Sequence, residues 1–163
     1  MQHLTHPFPP LYDENSRILI LGSFPSVKSR EVNFFYGHPQ NRFWKMLAGV
    51  LNCDVPQTIE EKRGMVLAHH IAMWDAIAAC EIEGSSDSSI KRAQANDFTP
   101  IFQTANIRAV FTNGQQAHKM YEKYCAKNYD VPEFCMPSTS PANAAWSLPK
   151  LIAQWHSILD FIK

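Results

Sequence analysis

The side-chain amide of Asn41 lies among aromatic rings in the stretch FFYGHPQNRFW, residues 34–44. An amide can orient a water molecule by accepting a hydrogen bond from it, but it cannot remove a proton from that water at neutral pH. Asparagine is also a common N-terminal cap, and the pattern after Asn41 predicts a helix that begins at Arg42. The residues of this stretch alone leave both roles open.

Hydroxyl side chains are concentrated in two short loops, GSFPSVKS at residues 22–29 and PSTSPANAAW at residues 137–146. Ser26, Ser138 and Ser140 can donate hydrogen bonds to a phosphate, as can the backbone N–H groups of such turns. The prolines fix φ, so each loop is preformed before a partner arrives. Taken singly, each loop is better explained by turn chemistry or a helix cap. Together they favour an anionic polymer or a phosphoester as the ligand.

A second amide, Asn113, lies near the end of the segment RAVFTNG at residues 108–114. One explanation is a turn, because Asn tolerates left-handed backbone conformations and often precedes Gly. The functional alternative is that its amide, with one donor side and one acceptor side, reads the edge of a base. The sequence favours neither interpretation.

Strand and helix patterns alternate along the chain. Buried strands are predicted at residues 18–21, 71–74, 108–114 and 133–139, and helices at residues 41–51, 58–65, 97–104, 115–129 and 147–162. The alternation predicts an α/β fold, a three-layer α/β/α sandwich with a central, mainly parallel sheet of about four strands. The ligand site of such a sheet lies at the carboxyl ends of its strands. The loops GSFPSVKS, WDAIAAC, NGQQA and PSTSPANAAW should therefore converge there.

Length and charge limit the classes of protein that need considering. The 163 residues suit one domain, which we expect to span residues 1–163 with residues 1–16 as an extended leader. Fifteen basic and fifteen acidic residues give a formal net charge of zero, which argues against non-specific coating of nucleic acid but not against a local grip. Without a signal-type segment or a long apolar run, the sequence predicts a cytoplasmic monomer with no membrane contact. The stretch EGSSDSS at residues 83–89 reads as an exposed loop.

The cysteines and histidines predict neither a metal site nor a cofactor. The four cysteines lie far apart and form no C-x-x-C pair, so we expect reduced thiols. His69 and His70 are adjacent and therefore point to different faces, and the chain contains no H-x-x-x-H pair.

Several ordered segments carry a family resemblance: LILGSFPS, FYGHPQNRFW, IAMWDAIAAC, SSDSSIK, NDFTPI, FTNGQQA and PSTSPANA. In these segments the chain resembles the uracil-DNA glycosylase superfamily, in particular its branch of hypoxanthine-DNA (deoxyinosine) glycosylases. GHPQNRFW is the most specific of them. The resemblance implies an enzyme that flips a base out of DNA and hydrolyses its N-glycosidic bond without metal or cofactor, leaving an abasic site.

The resemblance also implies roles for individual residues. Better-known branches carry an Asp or Asn before the proline of the first loop, where this chain has Phe24, and a His or Asn where it has Met136. Asn41 is therefore the catalytic residue that the deoxyinosine branch suggests, orienting water while the base leaves as an anion. Tyr36 aligns with the ring on which the flipped base stacks, and Phe24 forms the other wall. The predicted base-binding residues are Ser23, Phe24, Tyr36 and Asn113, and the predicted phosphate-binding residues are Ser26, Ser138 and Ser140.

The hypothesis that follows is a DNA glycosylase that removes hypoxanthine first and uracil second. An alternative is a catalytically silent nucleic-acid-binding module of the same fold, since the usual first-loop Asp or Asn is missing. A small-molecule nucleoside hydrolase fits less well, because two preformed hydroxyl loops suit a pinched DNA strand better than a free nucleoside. For the side chain that wedges into the duplex, the sequence leaves Asn143 and Trp146.

Overall fold

The computed structural model describes residues 2–83 and 89–162. In chain order, its strands are β1 (Gln2–Thr5), β2 (Ile18–Gly22), β3 (Ile71–Asp75), β4 (Ile77–Ile82), β5 (Lys91–Ala95), β6 (Ala109–Asn113) and β7 (Glu133–Met136). Its α-helices are α1 (Val27–Val32), α2 (Phe43–Leu51), α3 (Ile59–Ala68), α4 (Thr99–Thr104), α5 (Gln115–Tyr124) and α6 (Leu148–Trp155). Short 3-10 helices follow α5 and α6, at Ala126–Asn128 and His156–Asp160.

The centre of the fold is a four-strand sheet of order β3-β2-β6-β7 in which every neighbouring pair is parallel. All residues of β2 and β3 are buried. A strand covered on both faces needs apolar side chains on both, which explains the uninterrupted apolar runs in the sequence. Helices flank this sheet, so the predicted α/β fold with about four mainly parallel strands is confirmed.

The register of the sheet aligns the ends of its strands. Gly22 at the end of β2 is the partner of Asp75 at the end of β3, and Asn113 of β6 is the partner of Met136 of β7. Because the strands are parallel, all four carboxyl ends lie on one edge. The loops that follow the strands therefore start side by side.

A second sheet, of order β1-β4-β5 and antiparallel throughout, was not predicted. The sequence analysis assigned β4 to the loop WDAIAAC and β1 to an extended leader. The prolines of the leader all follow β1, so its residues are free to pair with β4. β5 is mostly exposed and polar, and it lacks the apolar alternation that marks a strand. The loop predicted at residues 83–89 lies largely on residues 84–88, outside the described part of the chain.

All five predicted helices are present, with shifted ends. The helix predicted from residue 41 begins at Phe43, and the one predicted to run to residue 129 ends at Tyr124 and gives way to a 3-10 turn. α1 was not predicted; it occupies part of the first hydroxyl loop and begins after Ser26. Within the described ranges, no helix combines the length and the apolar character that a membrane span requires.

Candidate active site

A cavity of about 380 Å³ opens at the carboxyl edge of the parallel sheet. The loops that follow β2 and β7 meet there with the last residues of β3 and β6, Asp75 and Asn113, and with the stretch before α2. Each residue predicted to act in catalysis, base binding or phosphate binding lines this cavity, namely Ser23, Phe24, Ser26, Tyr36, Asn41, Asn113, Ser138 and Ser140. Its volume lies in the range of small-ligand sites. The structure thus brings the predicted residues together, while their individual roles stay predictions.

The amide of Asn41 is fixed by two hydrogen bonds to its oxygen. The backbone N–H of Phe43 donates to Asn41 Oδ1 over 2.9 Å, and Thr139 Oγ1 donates to the same atom over 2.8 Å. A backbone N–H can only donate, so the oxygen side of the amide is assigned without ambiguity. Both lone pairs of Oδ1 are thereby used. Asn41 therefore has its Nδ2 group, a donor, left for a ligand.

This geometry combines the two roles that the sequence left open for Asn41. The bond to Phe43 N caps the first residue of α2, although the residue directly before the helix is Arg42, which makes no side-chain cap. The orientation of water by an accepting oxygen, expected from the sequence, is not available to an oxygen that already accepts two bonds. What Asn41 can add to the cavity is a hydrogen-bond donor.

Asn113 is bound to the same threonine. The backbone N–H of Thr139 donates to Asn113 Oδ1 over 3.0 Å, and Asn113 Nδ2 donates to Thr139 Oγ1 over 3.0 Å. Thr139 is fully buried. A continuous chain of hydrogen bonds therefore connects Asn113, Thr139 and Asn41, and it leaves one N–H of Asn113 for a ligand.

Two aromatic side chains form apolar walls of the cavity. The ring of Tyr36 stacks on Phe43 with centroids 4.2 Å apart and an interplanar angle of 20°. Tyr36 has a backbone φ of 51°, a left-handed conformation that is uncommon for a bulky residue and is found more often at functional sites. Phe24 is buried, and the guanidinium of Arg30 lies over its ring, 5.8 Å from the centroid. Each ring therefore has a packing partner, Phe43 for Tyr36 and Arg30 for Phe24.

The serines predicted to bind phosphate also organise their own loops. Ser26 Oγ accepts from Ser29 N and caps α1, and it donates to Ser29 Oγ over 3.1 Å, so the helix-cap explanation applies to it. Ser138 Oγ accepts from Ser140 N over 3.1 Å, and Ser140 Oγ accepts from Ala142 N over 3.2 Å. A hydroxyl that accepts a bond still carries a hydrogen to donate. The two functions are compatible at Ser138 and Ser140.

Arg42 has a structural role that the sequence analysis missed. Its guanidinium donates to the carbonyl oxygens of Ser140 over 2.9 Å, of Asn143 over 3.0 Å, and of Trp146. The five N–H donors of arginine suit such multiple contacts. Arg42 therefore clamps the second hydroxyl loop, including both wedge candidates, against the start of α2.

Asp75 is the second residue that the sequence analysis missed. It is the last residue of β3 and lines the cavity. Its Oδ2 lies 2.6 Å from Nε2 of His6, and the two side chains are 6% and 3% exposed. The backbone N–H of Phe8 points at His6 Nδ1 over 3.5 Å, so Nε2 is the nitrogen that donates to Asp75. The sequence did contain a signal for Asp75, because an acidic residue directly follows a predicted buried strand there.

The other oxygen of Asp75, Oδ1, lies beside Gly22, which also lines the cavity. A Cβ atom at Gly22 would lie 2.5 Å from Asp75 Oδ1 and 3.3 Å from the hydroxyl of Tyr36. Any residue other than glycine at the end of β2 would therefore displace the carboxylate. Gly22 therefore leaves the space that the Asp75 carboxylate occupies.

A separate group of titratable residues, His118, Glu122 and Glu133, lies outside the cavity lining. Their ligand atoms lie within 4.8 Å of one another, and His118 Nδ1 is 2.6 Å from Glu133 Oε2. A hydrogen bond that protonated Glu122 donates to the Glu133 carboxylate, together with the charge of Glu133, raises the pKa of Glu122. Acidic groups commonly cluster without an ion, so we assign no metal to this group.

The comparison with known families agrees with this architecture. The family model of the uracil DNA glycosylase superfamily matches residues 9–159. The chain belongs to the uracil DNA glycosylase superfamily, as the sequence resemblance indicated.

Individual relatives are similar over nearly the whole chain. The protein is 32% identical over 153 residues to a hypoxanthine DNA glycosylase of Methanosarcina acetivorans, covering 93% of this chain and 95% of the relative. It is 34% identical over 138 residues to a hypoxanthine DNA glycosylase of Methanosarcina barkeri, covering 83% and 86%. The solution NMR structure of a candidate uracil DNA glycosylase from M. acetivorans superposes with a TM-score of 0.83 at 29% identity, over 99% of both chains. The four-strand parallel sheet with flanking helices is thus shared with this structure.

Proposed function

We propose that this DNA N-glycosylase removes hypoxanthine from DNA, with uracil as its second base, and leaves an abasic site. The observation that carries the proposal is the cavity at the sheet edge, which combines two amides, a carboxylate and aromatic walls with hydroxyl-bearing loops. The two Methanosarcina relatives named hypoxanthine DNA glycosylase support the choice of base. Hypoxanthine and uracil both present a carbonyl beside a ring N–H, an edge that matches mixed donors and acceptors.

The base must leave the duplex to enter this cavity. Extruding a base costs a few kcal/mol and costs least for a mispaired or deaminated base, whereas stacking on an aromatic ring returns about 1–3 kcal/mol. We assign this stacking to Tyr36 and Phe24, because both rings line the cavity. Selection therefore begins before any base edge is read, because a well-paired base is the hardest to extrude.

The chemistry assigned to the cavity is dissociative. The bond between C1′ and the base breaks first, and the base leaves with the electron pair. Preorganised donors stabilise that developing negative charge, and Asn41 Nδ2 and the remaining N–H of Asn113 are such donors. Water then adds to C1′ and its proton passes to the departed base, giving free hypoxanthine and an abasic sugar.

The DNA backbone is held, on this proposal, by neutral groups more than by charge. The formal net charge is zero, and the loops that line the cavity offer the hydroxyls of Ser138 and Ser140; Ser26, whose hydroxyl donates to Ser29 Oγ, would have to turn its hydrogen to bind a phosphate. Hydroxyl and backbone N–H groups position phosphates without reading sequence. The expected result is a local grip on a few phosphates around the flipped nucleotide.

The proposal is tested with labelled duplexes that contain deoxyinosine, deoxyuridine or deoxyxanthosine. Each is incubated with an excess of enzyme and then treated with alkali, which cleaves at abasic sites. We expect cleavage at deoxyinosine, slower cleavage at deoxyuridine, and loss of both with Asn41→Ala. Binding of all three duplexes without cleavage would favour the catalytically silent module. Release of base from free nucleosides, but not from duplexes, would favour a nucleoside hydrolase.

Three further expectations accompany the proposal: the enzyme needs no metal or cofactor, acts as a monomer, and works in the cytoplasm. The first is tested most simply. Because the chemistry is assigned to amides and water, base release should persist at an unchanged rate after dialysis against EDTA. A loss that added divalent metal restores would contradict it.

A further inference from the structure

The buried end of the cavity, formed by Gly22 and Asp75, carries a carboxylate that the chemistry above does not use. Among the described residues that line the cavity, Asp75 alone has a carboxyl group. Asp75 is 4% exposed, whereas Asn41 and Asn113 are half-buried, so the carboxylate lies deeper than either amide. Burying a carboxylate is costly unless a donor satisfies it. Here His6 donates to Oδ2, and Oδ1 lies against Gly22, which lines the cavity together with Asp75.

The N-terminal segment delivers His6 to this position. β1 pairs with β4, and directly after it the N–H of His6 donates to the carbonyl of Ala78 over 2.7 Å. The imidazole ring packs between Phe8 and Trp74, with centroid distances of 4.5 Å and 4.3 Å. The orientation of the ring is thus fixed by the backbone and by neighbouring rings, and it holds the Asp75 carboxylate in one position.

The cavity needs an acceptor for the ring N–H of its base. Asn41 Oδ1 already accepts two hydrogen bonds, and Asn113 Oδ1 accepts one from the backbone N–H of Thr139 and keeps a single lone pair. Asp75 Oδ1 is a carboxylate oxygen at the buried end, and an ionised carboxylate only accepts. Hypoxanthine has a hydrogen at N1, whereas adenine has a lone pair there, so a carboxylate attracts the first edge and repels the second.

We propose that Asp75 accepts a hydrogen bond from the ring N–H of the flipped base and thereby selects deaminated bases against adenine, with His6 as the positioning residue. This inference rests on the proposed function. The N1 hydrogen stays on the base when the glycosidic bond breaks, so the contact persists from binding to release. The contact with Asp75 therefore determines which base is bound, whereas the donors Asn41 and Asn113 stabilise the base as it leaves.

The first test uses the unaltered protein. Single-turnover base release is measured on duplexes containing deoxyinosine or N1-methyl-deoxyinosine, which lacks the N1 hydrogen. We expect the methylated base to be released at least about 100-fold more slowly. Equal rates on the two duplexes would overturn the inference while leaving the proposed function intact. Absence of release from deoxyinosine and deoxyuridine would sink both.

The second test repeats the comparison with Asp75→Ala. Removing the carboxylate also makes room for the methyl group, so the ratio of the two rates should collapse from at least about 100 to below about 10. Release from deoxyinosine itself should fall about 100-fold, while affinity for a duplex with an abasic site, which has no base to read, should be unchanged. A ratio that stays at its original value, or an equal loss of affinity for the abasic duplex, would contradict a contact with the base.

The third test isolates the role of His6. In Asp75→Asn, His6 Nε2–H should keep the amide oxygen, so the NH₂ group faces the ring N–H and release falls about 100-fold. Adding His6→Phe removes the donor and lets the substituted amide turn its oxygen to the base. The double variant should therefore be at least about 10-fold faster than Asp75→Asn alone. A double variant slower than either single variant would indicate a purely structural pair.

The chain supplies a matched control. His118 and Glu133 make a contact of the same length, 2.6 Å, and neither lines the cavity. His118→Phe and Glu133→Gln should leave the rate on deoxyinosine within about twofold of the unaltered protein, and the ratio to N1-methyl-deoxyinosine unchanged. A similar loss at both pairs would show that the rate reports the stability of the protein, and this would overturn the assignment to Asp75.

Discussion

Two histidine–carboxylate pairs in this protein have the same 2.6 Å contact and very different surroundings. The side chains of His6 and Asp75 are both almost fully buried, and Asp75 lines the cavity. The side chain of His118 is 35% exposed, and Glu133, although its side chain is buried, does not line the cavity. The contact alone therefore does not identify a functional group. What differs is the position on the sheet: Asp75 ends β3, and Glu133 begins β7. In a parallel sheet, ligands bind at the carboxyl ends of strands.

An acidic residue at the carboxyl end of a strand therefore has different neighbours from one at the amino end, and it can take part in different chemistry. A carboxylate at the carboxyl edge meets the converging loops, and one at the amino edge meets its own helix and sheet neighbours. Glu133 accepts from Thr112 and contacts His118, both within the scaffold. We therefore expect changes near Asp75 to alter base release, and changes near Glu133 to alter stability with release unchanged.

The largest effect on base release is expected at Asn41, which lines the cavity. Asn41→Asp keeps an oxygen for Phe43 N and Thr139 Oγ1 but loses the NH₂ donor and turns a negative charge towards the leaving base. Single-turnover release of hypoxanthine should fall at least about 100-fold, as with Asn41→Ala, while binding to the duplex is retained. If Asn41 were only a cap, Asn41→Asp would release base at the original rate.

The next effect compares two threonines. Thr139 and Thr112 are both fully buried, and each donates from Oγ1 over 2.8 Å, to Asn41 and to Glu133 respectively. Thr139→Val should slow base release about 10-fold, because it breaks the chain that orients both amides. Thr112→Val should lower the free energy of unfolding by about 1–3 kcal/mol and leave release within about twofold. If the two changes slowed base release equally, the contrast between residues at the cavity and residues away from it would be contradicted.

A smaller effect is expected from salt. Because the net charge is zero and the cavity mouth offers hydroxyl and backbone donors, we expect only about two to four phosphates to be neutralised. Each contributes roughly −0.9 to the slope of log K against log salt concentration. Binding to a deoxyinosine duplex, titrated at several salt concentrations, should show this shallow slope. A slope near about −8 would reveal a basic surface that this account lacks.

The smallest effect is a change in stability at Glu122, beside the pair of His118 and Glu133. Glu133 raises the pKa of Glu122, so protonated Glu122 is favoured in the folded state. Stability from this shift is present below the unfolded pKa of Glu122 and is lost as pH rises through the folded pKa. At pH 7, Glu122→Gln should therefore raise Tm slightly, by up to about 2 °C, and the gain should vanish near pH 4. Thermal unfolding at both pH values checks this, and the rate on deoxyinosine should not change.

The sequence predicted the central sheet and the edge at which the site residues lie for a clear physical reason, whereas the roles of Asn41, Tyr36 and Phe24 were implied by the family resemblance. Strands buried on both faces need continuous apolar runs, and parallel strands bring their following loops to one edge. The antiparallel sheet was missed because β1 and β5 are stabilised by pairing with β4, and their own side chains carry little signal. Local sequence patterns cannot report such pairing.

Hydrogen bonds between residues far apart along the chain could not be predicted from the sequence either. The oxygen of Asn41 is occupied by Thr139, and Arg42 clamps carbonyls around Ser140, both about a hundred residues away along the chain. Asp75 directly follows a predicted strand segment, so its place at the sheet edge was within reach. Its partner His6 was not, because only the pairing of β1 with β4 brings the N-terminal segment to the cavity.

The most direct test of the account is a crystal structure of the Asn41→Ala variant bound to a duplex containing deoxyinosine. We expect a nucleotide flipped into the cavity with its base against Tyr36. The N1 atom of that base should lie about 2.7–3.2 Å from Asp75 Oδ1, and His6 should still donate to Oδ2. A base that remains stacked in the duplex would contradict the use of the cavity. A flipped base whose N1 faces another group, with Asp75 more than about 4 Å away, would contradict the reading of the base by its carboxylate.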